Sequence, residues 1–264
     1  MKLLLKIKYD GSAYSGYQAQ PNSKTVQGAL TEAVSACFGF PCDITGCSRT
    51  DSGVHALGFC CTVFPRGDVA DSSAWLKIPI GRVHRALANY LPCDIAVCAE
   101  ASVDDSFHAR YSVVSKEYVY RMYDSPAHDP FMRGRAWHLK REITDTGLEE
   151  MRGAAQYILG RHDFSSFMAA GSKITDATRT VYALSIERAG GEIQLRISAD
   201  GFLYNMVRII AGTLVDTAYG VFSTDNVGDI LAACDRTRAG RTAPPDGLYL
   251  SDVRYGVPID WKVF

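Results

Sequence analysis

Arg49, Asp51 and His55 bring a guanidinium, a carboxylate and an imidazole together inside one short segment, GCSRTDSGVHA at positions 46–56. An ionised aspartate can act as a nucleophile or a base, and a nearby guanidinium keeps it ionised. The flanking runs CDITGCS (42–48) and GFCCTVF (57–63) read as short strands, which makes Arg49 to Ala56 the loop between them. Loops carried on rigid strands are where catalytic groups concentrate. The alternative is an ordinary Asx turn, with Asp51 accepting backbone N–H groups and Gly53 supplying a left-handed conformation, and an isolated T-D-S-G is more often that.

A second segment changes the weighing. Residues 202–215, FLYNMVRIIAGTLV, read as a helix apolar nearly all round, hence buried, with Arg208 as its only charged residue. A buried guanidinium left without an acid costs about 3–5 kcal/mol, so the fold must supply one unless Arg208 caps a carbonyl or snorkels to the surface. A third segment, HARYSVVSKEYVYRMY (108–123), is rich in β-branched and aromatic residues and reads as a long strand. Alternation places Lys116, Tyr118 and Tyr120 on one face and Ser115, Glu117 and Val119 on the other. Tyrosine rings beside cations form a surface on which bases stack, although a half-buried sheet face has the same composition.

These residues carry a resemblance. The chain resembles the tRNA pseudouridine synthase A (TruA) family in YDGSAYSGYQAQP (9–21), RTDSGVHA (49–56), FHARYSVVSKEYVY (107–120), HDFSSF (162–167), GFLYNMVRIIAGTLV (201–215) and DRTRAGRTAPPDGLYL (235–250), all in family order. The resemblance implies that Asp51 is the catalytic aspartate and Arg208 the arginine that pairs with it. It further implies that Tyr118 stacks on the target uracil, that Arg49 belongs to the catalytic motif, and that Leu250 lies where an apolar residue meets the base. Lys116, beside Tyr118 on the strand, is a phosphate-binding candidate. The sequence departs from the family pattern at Ser48, where a glycine is usual, at Ser52, where alanine is usual, and at Tyr17, where tryptophan is usual.

The chemistry implied is cleavage of the C1′–N1 bond of a uridine, rotation of the uracil and rejoining through C5, with no net redox change and no cofactor. An ionised Asp51 serves as nucleophile at C1′ or at C6, or as base at C2′, and the sequence leaves the three routes open. The target base must leave its stack, and Tyr118 replaces the stacking it loses.

Composition bounds the alternatives. With 264 residues, 47% hydrophobic and 22% charged, the chain has the make-up of a globular protein of about two domains. Its start, MKLLLKIKYD, is too short in apolar residues for a secretion signal, and no run reaches the ~20 residues of a membrane span, so a cytoplasmic location is expected. The eight cysteines form no C-x-x-C pair and the six histidines no H-x-x-x-H pair, so neither disulfides nor a metal site is expected. His55 reads as a loop-positioning group. A net charge of −1 is unusual for a nucleic-acid binder, but basic residues cluster in RGRAWHLKR (133–141) and RTRAGR (236–241), and arginine outnumbers lysine 19 to 9.

Periodicity predicts strands at 2–9, 42–48, 57–64 and 94–103 and helices at 25–38 and 80–90 in the first half. The second half has strands at 109–123, 178–188, 191–199 and 247–256, and helices at 145–159, 202–217 and 223–235. The fold class is α+β. The resemblance implies two RRM- or ferredoxin-like domains, 1–104 and 105–264, sharing a mostly antiparallel sheet with the active cleft between them. It also implies a homodimer holding the tRNA anticodon stem-loop and modifying positions 38, 39 and 40. SPAHDPFMRGR (125–135) and MAAGSKITDA (168–177) are candidate RNA-gripping loops. Two other classes fit part of the pattern: a non-catalytic RRM-like RNA-binding protein, and a sugar hydrolase, which ordinarily needs a second acid.

Overall fold

The computed structural model describes residues 1–67, 77–171 and 174–264. The chain is a mixed α+β protein whose strand pairs are antiparallel but for one parallel pair among those with a defined register. It divides into two compact units, Met1–Val114 with Leu250–Phe264, and Ser115–Tyr249. The divide thus falls ten residues beyond 104, and the C-terminal strand returns to the first unit instead of closing the second.

In the first unit, β1 (Lys2–Tyr9) lies between β3 (His55–Pro65) and β4 (Ile95–Val103), and β2 (Cys42–Gly46) also pairs with β3. Consecutive Leu3, Leu4 and Leu5 are all fully buried, so both faces of β1 are covered. The helix α1 (Val26–Phe38) begins where Thr25 accepts the Gly28 N–H and ends at Gly39, whose φ of 80° suits a left-handed cap. The second helix, α2 (Val83–Leu87), is shorter than the 80–90 read from periodicity. Its first turn is held by the buried Glu100, which accepts the N–H groups of Val83 and His84. The edge of β4 is covered by β11 (Lys262–Val263), a two-residue strand too short to show in periodicity.

In the second unit, β5 (Val113–Tyr123) pairs with β9 (Glu192–Ala199), β9 with β8 (Thr178–Ala189), and β8 with β7 (Gly160–Asp163). The β8–β9 hairpin turns through Gly190 and Gly191, with φ of 58° and 84°, the positive pair that a tight two-residue turn requires. A short β6 (Trp137–His138) runs parallel to β5. Among the described residues, the unit also holds the α-helices α3 (Asp145–Ala155), α4 (Met206–Ala218) and α5 (Asn226–Ala233). The strand β10 (Leu248–Tyr255) straddles the divide between units in sequence.

The 109–123 strand begins only at Val113. His108 takes the N–H groups of Arg110 and Tyr111 on its Nδ1, which bends 108–112 into a turn despite its strand-forming residues. Likewise α4 starts at Met206, four residues later than read, because Asn205 adopts a left-handed φ of 59°. In the candidate loop 168–177, Ser172 and Lys173 lie outside the described residues.

Candidate active site

The Asp51 turn is clamped by the segment that follows β1. Tyr17 N–H donates to the Thr50 carbonyl (3.1 Å), while Gly53 N–H and the Ser52 hydroxyl both donate to the Tyr14 carbonyl (3.4 and 3.2 Å). Tyr9 and Thr50 join their hydroxyls at 2.8 Å. The turn closes on itself through Val54 N–H to the Asp51 carbonyl (3.2 Å), with Gly53 at φ 79°. The turn is a backbone turn fixed by its neighbours, and the Asp51 it presents is half-buried. Gly16, at φ 90°, passes so close to the turn that a Cβ would stand 2.8 Å from the Thr50 carbonyl oxygen. The Ser52 hydroxyl thus adds a hydrogen bond of its own to this clamp.

His55 opens β3 instead of ending the loop, and it is 2% exposed with its Nδ1 accepting the Gly11 N–H (3.1 Å). That bond ties the strand to the clamp and uses the imidazole as a structural acceptor. Arg49 is exposed, at the rim of a cavity in the same unit. Leu250 is fully buried on β10.

Tyr17 stacks on Phe59 with centroids 4.3 Å apart. Its hydroxyl is buried without a hydrogen-bond partner among the described residues, and burial drives its pKa well above the usual phenol value. An orphaned buried hydroxyl costs about 1–3 kcal/mol. Tyr17→Phe is therefore expected to stabilise the protein by about 1 kcal/mol, raising the melting temperature by roughly 2–4 °C in a thermal melt. The neighbouring thiols are structural. Cys47, Cys60 and Cys61 are fully buried, and burial pushes the Cys60 and Cys61 thiols far up, out of the range of a reactive thiolate.

In the second unit, Tyr118 on β5 is 6% exposed and meets Phe202 edge-on at 5.0 Å. Tyr120 is not part of a stacking surface: it is fully buried, with its hydroxyl donating to the Pro244 carbonyl (2.7 Å). Lys116, on the same strand, is half-buried.

Arg208 is half-buried on the first turns of α4. Its Nε donates to the Ala243 carbonyl and its Nη1 to the Asn205 Oδ1, both at 2.7 Å. Carbonyl capping, one alternative from sequence, thus accounts for part of its hydrogen bonding. Asn205 is the residue that sequence reasoning missed. Its signal was available, a residue tolerant of left-handed backbone three positions before a helical arginine. Replacing it by Gly keeps the backbone conformation and removes the amide that aims Arg208. Asn205→Gly is expected to lower kcat about 10- to 100-fold with little change in melting temperature, the loss of one hydrogen bond to a charged group. Asn205→Ala should add thermal destabilisation of about 1 kcal/mol from the left-handed backbone.

Helix α4 also holds a second charged residue, Asp216, 5% exposed. Arg241 bonds it through Nε (2.8 Å) and Nη2, so Arg241 leaves the RTRAGR cluster as a phosphate candidate. Arg236 is engaged with Thr242 (3.0 Å). Arg133, Arg135, Lys140 and Arg141 are exposed. No group of three or more His, Cys, Asp or Glu converges among the described residues.

The family model described as tRNA pseudouridine synthase matches residues 6–112 and 154–256. The chain belongs to this family. The matched segments contain Arg49, Asp51, Arg208 and Leu250, whereas Lys116 and Tyr118 lie between them. Among similar proteins, a tRNA pseudouridine synthase A of Thermoanaerobacter sp. (strain X514) is 44% identical over 96% of this chain and 99% of its own. One of Bacillus subtilis (strain 168) is 43% identical over 97% and 99%. A chain from the crystal structure of a Cbf5-Nop10-Gar1 complex aligns with 94% of this chain and 49% of its own at 10% identity and a TM-score of 0.37, too slight a likeness to carry an argument.

Proposed function

We propose that this member of the family, an isomerase that converts tRNA uridine to pseudouridine, acts on positions 38, 39 and 40 of the anticodon arm through Asp51. The observation that carries the reading is the clamped turn. Asp51 stands in a family-matched segment, and four hydrogen bonds from residues 9–17 to its neighbours Thr50, Ser52 and Gly53 fix the backbone that presents it. A carboxylate held in place loses no ordering entropy on attack.

In this reading Asp51 reacts in its charged form at C1′, C6 or C2′ of the target nucleotide, and Arg208 is the cation that keeps it ionised. Asn205 and the Ala243 carbonyl fix the direction of that guanidinium. Tyr118 stacks on the displaced uracil, Arg49 and Lys116 hold the flanking backbone, and Leu250 supports the apolar wall. The two units are RRM-like, the working form is a homodimer gripping the anticodon stem-loop, and the protein acts in the cytoplasm. No helix among the described residues is long and apolar enough to cross a membrane. Uridine isomerisation conserves every atom and electron, so the reaction calls for no redox cofactor.

Mapping pseudouridine in total tRNA from cells lacking the protein tests the assignment. Loss confined to positions 38–40 is the expected result. Loss in the TΨC arm reassigns the substrate site, and an unchanged map overturns the proposal.

A further inference from the structure

We propose that the cavity beside Arg49 is a second nucleotide subsite, in which a base neighbouring the target stacks on Tyr111 while Arg49 and Arg110 hold its phosphate. This deepens the tRNA reading above and rests on it.

The cavity, about 220 Å³, lies wholly within the first unit. Part of its lining is prearranged: Gln27 donates to the Ile44 carbonyl (2.9 Å) while its Oε1 accepts Gln18 Nε2 and the Ala19 N–H, each at 2.9 Å. Arg49, His108, Arg110 and Tyr111 also line it, and none of the lining residues is an acid. Two guanidinium groups without a carboxylate favour an anion.

The turn at 108–112 fixes the rest. Because His108 Nδ1 accepts two backbone N–H groups, at 3.1 and 3.2 Å, the ring proton sits on Nε2, which becomes a donor. The His108 ring lies 4.3 Å from Tyr111, and the Arg110 guanidinium 5.9 Å from the same ring. Tyr111 is nonetheless 78% exposed. A large aromatic braced by its neighbours and presented to solvent beside two cations and amide side chains is the arrangement that binds an unstacked nucleotide. A free inorganic anion would need the arginines and not the tyrosine. Arg49 is two residues from Asp51, which makes the bound nucleotide a near neighbour of the target uridine.

The test measures the Kd of an unmodified tRNA transcript, its salt dependence, and pseudouridine formation for wild type, Tyr111→Ala, Tyr111→Phe and Arg110→Gln. Tyr111→Ala is expected to weaken binding about 5- to 100-fold, and Tyr111→Phe to retain it. Arg110→Gln should reduce the slope of log K against log salt by about 1. Unchanged Kd in Tyr111→Ala overturns the subsite, and so does a loss seen only in Arg110→Gln, which would leave a plain basic patch. Tyr111 is exposed, so an unchanged melting temperature confirms that the variant is folded. Failure of the underlying reading is a separate result: wild-type protein would then form no pseudouridine at all.

Discussion

Asp51→Asn is expected to lower kcat for pseudouridine formation by at least about 10³-fold while tRNA affinity stays within roughly threefold of wild type. Asparagine matches aspartate in shape, and the clamp bonds at Thr50, Ser52, Gly53 and Val54 use no side-chain atom of Asp51, so they have no reason to change. What disappears is the negative charge, and each of the three routes open to this carboxylate uses it. Binding should survive because removing an anion near an RNA backbone does not weaken phosphate contacts. Single-turnover rates and filter-binding affinities for the same preparation separate the two effects. A fall in affinity matching the fall in rate would instead make Asp51 a binding residue.

The second large effect is on stability. At Gly11 a Cβ would stand 2.0 Å from the Val54 carbonyl oxygen and 2.6 Å from the Val54 carbonyl carbon. Both obstacles are backbone, so Gly11→Ala must push the segment after β1 away from the Asp51 turn, and the Gly11 N–H bond to His55 goes with it. Overpacking of this kind costs about 1–3 kcal/mol, and the broken bond adds to it, against a total stability of about 5–15 kcal/mol. A thermal melt should show a clear drop. The folded fraction should also be slow, since misplacing a catalytic group by ~1 Å costs about 10²-fold. Gly39→Ala is the comparison. Nothing stands within 4 Å of a Cβ there, and only the positive φ of 80° is strained, so its cost should be about 1 kcal/mol with normal kcat.

Much of this organisation was legible in the residues. Thr25 and Gly39 bracket α1 as capping chemistry requires, and Gly190–Gly191 mark the β8–β9 turn. The turn character of T-D-S-G was legible too; its clamping was not, because the partners Tyr9, Tyr14 and Tyr17 lie more than thirty residues upstream and bond through backbone or hydroxyl groups. At 108–112 propensity misled. Tyr111 and the valines that follow favour a strand, but the His108 ring takes the Arg110 and Tyr111 N–H groups and holds the turn. The apolar run 202–215 carries one charge, but α4 extends beyond it to Ala218 and so includes Asp216, which Arg241 pairs. The grip of Asn205 on Arg208 was within reach of helical spacing, while the orphaned Tyr17 hydroxyl depends on packing that no local pattern encodes.

Isomerisation of tRNA uridine by this chain's own side chains has a simple chemical signature, conservation of the base. Incubating an unmodified tRNA with the purified protein alone, then quantifying nucleosides and free bases by mass spectrometry, tests it most directly. Every uridine lost should reappear as pseudouridine, with no free uracil and no added cofactor. Free uracil would make the protein a glycosidic hydrolase, an unchanged uridine content despite tight binding would make it an RNA-binding module, and either result excludes isomerisation by Asp51.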